Sequence, residues 1–169
     1  MIHVCPLHAV EPLIKKHAPS HLLSLLNADM MIETPQGMEK NNHLRIAMND
    51  IDSAEDKLIA PGLEHARLIV DFLRNWPQSS PLLIHCWAGI SRSTAAAYIA
   101  LCLFNRDESE DVLAKILRFH APEATPNPLL VAHADAILDR GGRMVAATAQ
   151  IGRGKYAFEG SHFVLPVRI

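Results

Sequence analysis

A chain of 169 residues, 49% apolar and 20% charged, has the make-up of an ordinary globular protein and can bury a sizeable core without disulfides. A formal net charge of −2 argues against a general attraction to nucleic acid or to a membrane surface. Three scattered cysteines, Cys5, Cys86 and Cys102, exclude a disulfide framework and fit a reducing compartment. No CxxC or CxxH pair offers metal-ligand spacing, the ten histidines are dispersed, and neither metal nor cofactor is expected. No run of about 20 apolar residues is present to span a bilayer. An N-terminus interrupted by Pro6, Glu11 and Pro12 does not read as a signal peptide, so a cytoplasmic setting is expected.

In chain order, residues 1–5 are predicted as a first strand and residues 9–16 as a short helix. Residues 21–26 are an apolar burst short enough for a buried strand, with Asn27 opening the turn after it. Residues 33–42 read as a polar loop containing Pro35 and Gly37. Residues 43–48 form a third strand that delivers Asn49, Asp50 and Asp52 at its C-terminal end. Residues 63–76 are predicted helical, opened by Pro61 and Gly62 and stopped by Pro77. The segment PLLIH, residues 81–85, is a short apolar strand, followed by CWAGISRS and then by the nearly uncharged helix TAAAYIALCLFN. Residues 107–120 form an amphipathic helix and residues 127–140 a further one, which Gly141 and Gly142 are expected to end. Residues 143–169 are less legible. A strand at 163–169 is compatible with the pattern only at a sheet edge, because of Pro166. Early strands, late helices and a central strand–loop–helix unit predict a single α/β domain with a mixed or parallel sheet flanked by helices.

The informative stretch runs from His85 to Ser93. A strand ending at His85 hands the chain to Cys86, a loop follows, and a helix begins near Arg92. This arrangement gathers the backbone N–H groups of Trp87, Ala88, Gly89, Ile90, Ser91 and Arg92 at a helix N-terminus, a ready anion site. Gly89 suits the middle of such a loop, where a positive φ is allowed and no Cβ blocks a ligand. Arg92 adds a planar fork for two phosphate oxygens. The same field is expected to favour the thiolate of Cys86, a nucleophile placed under a bound phosphate. Ser93 is placed to hydrogen-bond the sulfur. The departing oxygen needs a proton, so a carboxylic acid on a neighbouring loop is expected, with Asp50 and Asp52, 36 and 34 residues before Cys86, as candidates and Asp56 behind them.

The segment HCWAGISRST resembles the H-C-x5-R-S/T signature of the cysteine-dependent protein tyrosine phosphatases, and AGISRS is most similar to their dual-specificity branch. Over roughly residues 20–140 the resemblance implies that family's α/β fold, with residues 141–169 as an extension outside the match. It also implies hydrolysis of a phosphate monoester through a Cys86 thiophosphate, with Arg92 holding the phosphate. Asn49-Asp50 after LRIAM is similar to the family's acid-bearing N-D context, which favours Asp50 over Asp52 as the general acid and later base. By the same resemblance His85 orders the loop and tunes Cys86, and Pro126-Asn127 supports the loop, Asn127 as a helix N-cap and brace. Arg118 occupies a position where the family has a bracing arginine, although a solvated helix-face charge fits it equally. Trp87 either rims the site or packs beneath it.

No basic residue lies between Cys86 and Arg92, which disfavours a highly phosphorylated substrate. The resemblance implies a phosphorylated protein or peptide, phosphotyrosine first, with a shallow site open to phosphoserine and phosphothreonine. Neither nucleic acid nor membrane is an expected partner, and the sequence leaves the oligomeric state open. The rival readings are a phosphate-recognition module without turnover and a phosphatase of a non-protein ester.

Overall fold

The structure is a computed structural model that describes residues 1–53 and 55–169. Among the described residues it contains five strands, β1 (Ile2–Pro6), β2 (His21–Leu26), β3 (His43–Ala47), β4 (Leu82–Cys86) and β5 (Phe163–Leu165). Six α-helices accompany them: α1 (Val10–His17), α2 (Leu63–Asn75), α3 (Arg92–Phe104), α4 (Glu110–His120), α5 (Pro128–Ile137) and α6 (Arg143–Ile151).

The strands form one sheet in the order β3-β2-β4-β1-β5. The first four run parallel, and β5 pairs antiparallel with β1 at the edge. Every residue of β1, β2 and β4 is buried, as expected of parallel strands covered on both faces. Edge strand β3 instead exposes Arg45, a charge that discourages further strand pairing. One face packs against α1 through Val10 and Leu13, with Cys5, Leu22 and Leu83. The other carries the larger core, built with α2 to α6. Both ends of the chain enter the sheet, outside the 20–140 stretch that carries the resemblance.

Helix α3 leaves the C-terminal end of β4, and all thirteen of its residues are buried. Beyond Arg92 at its first position, whose guanidinium is hydrogen-bonded, the helix carries no charge, as this placement requires. Each large apolar side chain in it, such as Ile99 or Leu101, contributes about 1.5–3 kcal/mol of burial. Its one phenol, Tyr98, donates to the Glu110 carbonyl at 3.0 Å, and burial pushes its ionisation up.

Several boundaries differ from the sequence reading, most by one residue and a few by more. Helix α4 starts at Glu110 rather than 107, because Ser109 caps it by accepting from the Val112 N–H at 3.3 Å. Helix α5 stops at Ile137, and Asp139 takes a left-handed turn at φ 53°. Gly142 then serves as the N-cap of α6, a helix that the sequence did not announce. The buried Asp135 carboxylate accepts from the N–H groups of Gly142 at 2.6 Å and Met144 at 2.8 Å, a negative cap at a helix start. Strand β5 ends before Pro166, at the edge. No helix among the described residues is long and apolar enough to cross a membrane.

Candidate active site

In a parallel sheet the strands deliver their C-terminal ends to one rim. Pairing of Leu26 with Ala47, and of Pro6 with Cys86, brings Asn27, Met48, Cys86 and Pro6 to that rim. The segment 87–91 joins β4 to α3 there.

The loop is held from outside by its carbonyls. Trp87 O accepts from Leu7 N–H at 3.0 Å, Ala88 O from Gly160 N–H at 2.8 Å, Ile90 O from Thr125 N–H at 2.9 Å, and Ser91 O from Asn127 N–H at 3.3 Å. In a trans peptide the N–H points opposite to the carbonyl, so carbonyls turned outward leave amides turned inward. The Gly89 N–H donates to Cys86 Sγ at 3.2 Å. Ser93 Oγ lies 3.1 Å from the same sulfur, which is 1% exposed as a residue. Gly89 has φ +72°, and a Cβ there would lie 2.7 Å from the Pro6 nitrogen. Both the backbone angle and the space therefore require glycine.

Arg92, 4% exposed, donates from Nη1 to the Met48 carbonyl at 2.7 Å and to Asn27 Oδ1 at 3.0 Å. These bonds fix the guanidinium plane. Its Nε is buried without a hydrogen-bond partner among the described residues and lies 3.8 Å from Asp50 Oδ2. Asp50 Oδ1 accepts from Ser91 Oγ at 2.6 Å and from Asn127 Nδ2 at 3.2 Å. Asn127 also donates to the Ile51 carbonyl at 3.0 Å and accepts from Leu130 N–H at 3.2 Å, capping α5. Asp50, itself exposed, is thus tied to the loop after β4 and to the start of α5, whereas the equally exposed Asp52 and Asp56 make no such side-chain bonds among the described residues. Asn49 latches to Ile59 twice, its N–H donating to the Ile59 carbonyl and its side-chain Oδ1 accepting from the Ile59 N–H, both at 2.8 Å.

His85 belongs to a different chain of contacts. Its Nε2 meets Ser24 Oγ at 2.6 Å, Ser24 meets His43 Nε2 at 2.8 Å, and His43 Nδ1 meets Thr34 Oγ1 at 3.0 Å. Burial pushes His85 down to about 4, with His43 and Arg92 adding to the effect and the Cys86 backbone opposing it. Its side chain hydrogen-bonds Ser24 across the strands rather than the sulfur. Burial likewise pushes the thiols of Cys5 and Cys102 up to about 12. Cys5 pairs with His85 and packs on the α1 face, whereas Cys86 joins the opposite core.

The resulting cleft, about 340 Å³, is lined by Asn27, Met30, Asn49, Asp50, Ile51, Leu58, Trp87, Ala88 and Arg92. Sequence reasoning missed Asn27, Asn49 as a latch, and the apolar walls Met30 and Leu58. It also missed the segment 152–162, which backs the loop. Gly160 donates to Ala88, and a Cβ on it would lie 3.0 Å from Gly89 O. The Phe158 ring meets Trp87 edge-on at 5.4 Å. Arg118 anchors the start of this segment by donating to the carbonyls of Ile151 at 2.9 Å and Gly152 at 2.8 Å, and to Ala124 O at 2.9 Å.

No protein-family model and no curated protein sequence matches the chain. Solved structures do. The human tyrosine phosphatase-like serine/threonine/tyrosine-interacting protein superposes with a TM-score of 0.61 at 17% identity, covering 83% of this chain and 92% of that one. DUSP15 gives 0.57 at 18% identity over 89% of each chain. PTPMT1 in complex with PI(5)P gives 0.56 at 16%, covering 86% and 90%. At such identities the likeness is one of fold, and this chain has the single-domain α/β fold of the dual-specificity and tyrosine phosphatases.

Proposed function

We propose that the chain is a cysteine-dependent phosphate-monoester hydrolase acting on phosphorylated protein, phosphotyrosine first. The observation that carries the reading is the arrangement around Cys86: a sulfur facing the Gly89 N–H and the Ser93 hydroxyl, beneath a cleft that Arg92 and Asp50 share.

In the first step the Cys86 thiolate attacks phosphorus and the bond to the ester oxygen breaks. Asp50 gives its proton to that oxygen, which leaves as the alcohol or phenol. The inward amides of the loop and the Arg92 fork stabilise the equatorial oxygens of the transition state. In the second step the Asp50 carboxylate takes a proton from water, the water oxygen bonds to phosphorus, and the S–P bond breaks. Ser93 donates to the departing sulfur, and phosphate is released. Neither step calls on a metal.

The walls favour an aromatic ester. Ile51, Leu58, Met30 and Trp87 give the cleft apolar sides, and no cation other than Arg92 stands in the segment 86–92, which weighs against an inositol ring with several phosphates. PTPMT1, crystallised with PI(5)P, shares the fold, so a phosphoinositide is the comparison substrate to include.

The test is turnover of p-nitrophenyl phosphate and of a phosphotyrosine peptide with EDTA and a reductant present, beside Cys86→Ser. Turnover that disappears in Cys86→Ser is expected. Wild-type protein that binds vanadate but releases no phosphate from any ester would make the chain a phosphate-recognition module instead. Full activity in Cys86→Ser would remove the thiolate mechanism.

A further inference from the structure

Away from the cleft, the fold gathers three histidines that the sequence scatters. His3 lies in β1, His17 is the last residue of α1, and His162 stands just before β5. Each offers a ring nitrogen, and the three nitrogens lie within 4.8 Å of one another. His3 Nδ1 and His162 Nε2 are 3.0 Å apart. The His17 ring centroid is 4.4 Å from that of His3 and 5.7 Å from that of His162. His17 Nε2 is buried, with no hydrogen-bond partner among the described residues.

A hydrogen bond between His3 and His162 accounts for two of the nitrogens and leaves the third without a role. A shared cation would use all three. We propose that His3, His17 and His162 hold one transition-metal dication of the zinc class, which fastens the C-terminal segment to the sheet.

Three neutral imidazoles suit zinc, nickel or copper(II), whereas magnesium and calcium require oxygen ligands. Each ring binds a metal as the neutral imidazole. Zinc–nitrogen bonds of about 2.0–2.1 Å put tetrahedral ligand atoms about 3.4 Å apart. The His3–His162 pair, 3.0 Å apart, must open slightly while the group as a whole, within 4.8 Å, closes, and exposed His162 on an irregular segment is the natural one to move. Its exposure also leaves the fourth position open to water. No carboxylate belongs to the group, and the Lys16 side chain and the N-terminal amine lie close enough to repel a cation. Affinity is therefore lower than that of a site with a carboxylate or thiolate ligand. The consequence reaches the loop, because Gly160, two residues before His162, donates to Ala88.

The test uses protein carrying Cys86→Ser, which removes a competing thiolate, stripped with chelator and titrated with Zn²⁺ by calorimetry. One equivalent bound with a rise in Tm is expected. Adding His162→Asn or His17→Asn should weaken binding at least tenfold, while exposed His120→Asn leaves it unchanged. Paramagnetic broadening by Co²⁺ of the three imidazole resonances, in protein with the triad intact, reports the site without relying on a variant that folds. No saturable binding, or binding retained in His162→Asn, would overturn the proposal and leave His3 and His162 as a hydrogen-bonded pair. None of these readouts depends on phosphatase activity.

Discussion

Asp50 accepts from two side chains that belong to different elements, Ser91 at the mouth of α3 and Asn127 at the cap of α5. Its carboxylate is therefore placed by the fold and not by its own loop alone. Replacing it with isosteric Asn keeps the shape and removes the proton. We expect Asp50→Asn to lower kcat on a phosphotyrosine peptide by about 10²-fold or more, the usual worth of a positioned acid, with KM little changed. Loss of the basic limb in the kcat–pH profile would identify the role, and an unchanged profile would rule it out. Gly89 offers a second test. Ala at φ +72° brings a Cβ against the Pro6 nitrogen, so the loop must shift, and a displacement of about 1 Å at reacting atoms costs about 10²-fold in rate. Phosphate release and vanadate affinity should fall together in Gly89→Ala. Much at this scale is legible in the sequence, because Cys86, Gly89, Arg92 and Ser93 fall within one short segment. Asn27 is not, since nothing in a lone polar residue after a strand says which guanidinium it will meet.

Among the elements, those with strong local signals are readable: the nearly uncharged run of α3 after Arg92, the Pro61-Gly62 start of α2, the short bursts of β2 and β4. Helix α6 is hidden because much of its length is small or weakly polar, and its start depends on Asp135 from the preceding helix. Glu110 and Arg140 look like surface charges in sequence yet are 4% and 6% exposed. Arg140 Nη1 donates to Glu110 Oε1 at 2.8 Å, and Arg143 Nε to both carboxylate oxygens at 3.1 Å. Burial works against the Glu110 charge, but the bonds from Arg143 and Arg140 outweigh it and hold the carboxyl below its usual range. Removing one partner strands a buried charge, although Arg140 keeps the Cys102 and Arg106 carbonyls as acceptors. Glu110→Ala should therefore destabilise the protein by about 3 kcal/mol, near the lower end for a broken buried pair, or roughly 6–12 °C in Tm. Activity per folded molecule is expected to stay at the wild-type level. A Tm within about 2 °C of wild type would mean that the pair is dispensable, as an exposed pair commonly is.

Taken as a whole, the molecule carries a line of neutral polar groups across three parallel strands, from His85 on β4 through Ser24 on β2 to His43 on β3 and Thr34 beyond. The pattern is invisible in sequence because strand order, not spacing, assembles it. Both rings are held to about 4, by burial first in each case, with Arg45 adding at His43 and His43 itself adding at His85. In the unfolded chain each returns to its ordinary 6.5. Between those values the unfolded state binds more protons, so stability rises with pH. The contribution is complete above 6.5 and is lost as pH falls toward 4. His3, also held to about 4, acts with the same sign when no metal is bound. Urea unfolding with chelator present, from pH 7.5 to 5, should show ΔG falling at up to about 1.4 kcal/mol per pH unit for each such group. This range lies above most carboxylate titration, so the slope reports the histidines. His43→Gln should flatten it by one group's share. A flat profile in the wild type would mean that these rings take up protons in the folded protein as readily as in the unfolded one, and the neutral line across the sheet would have to be abandoned.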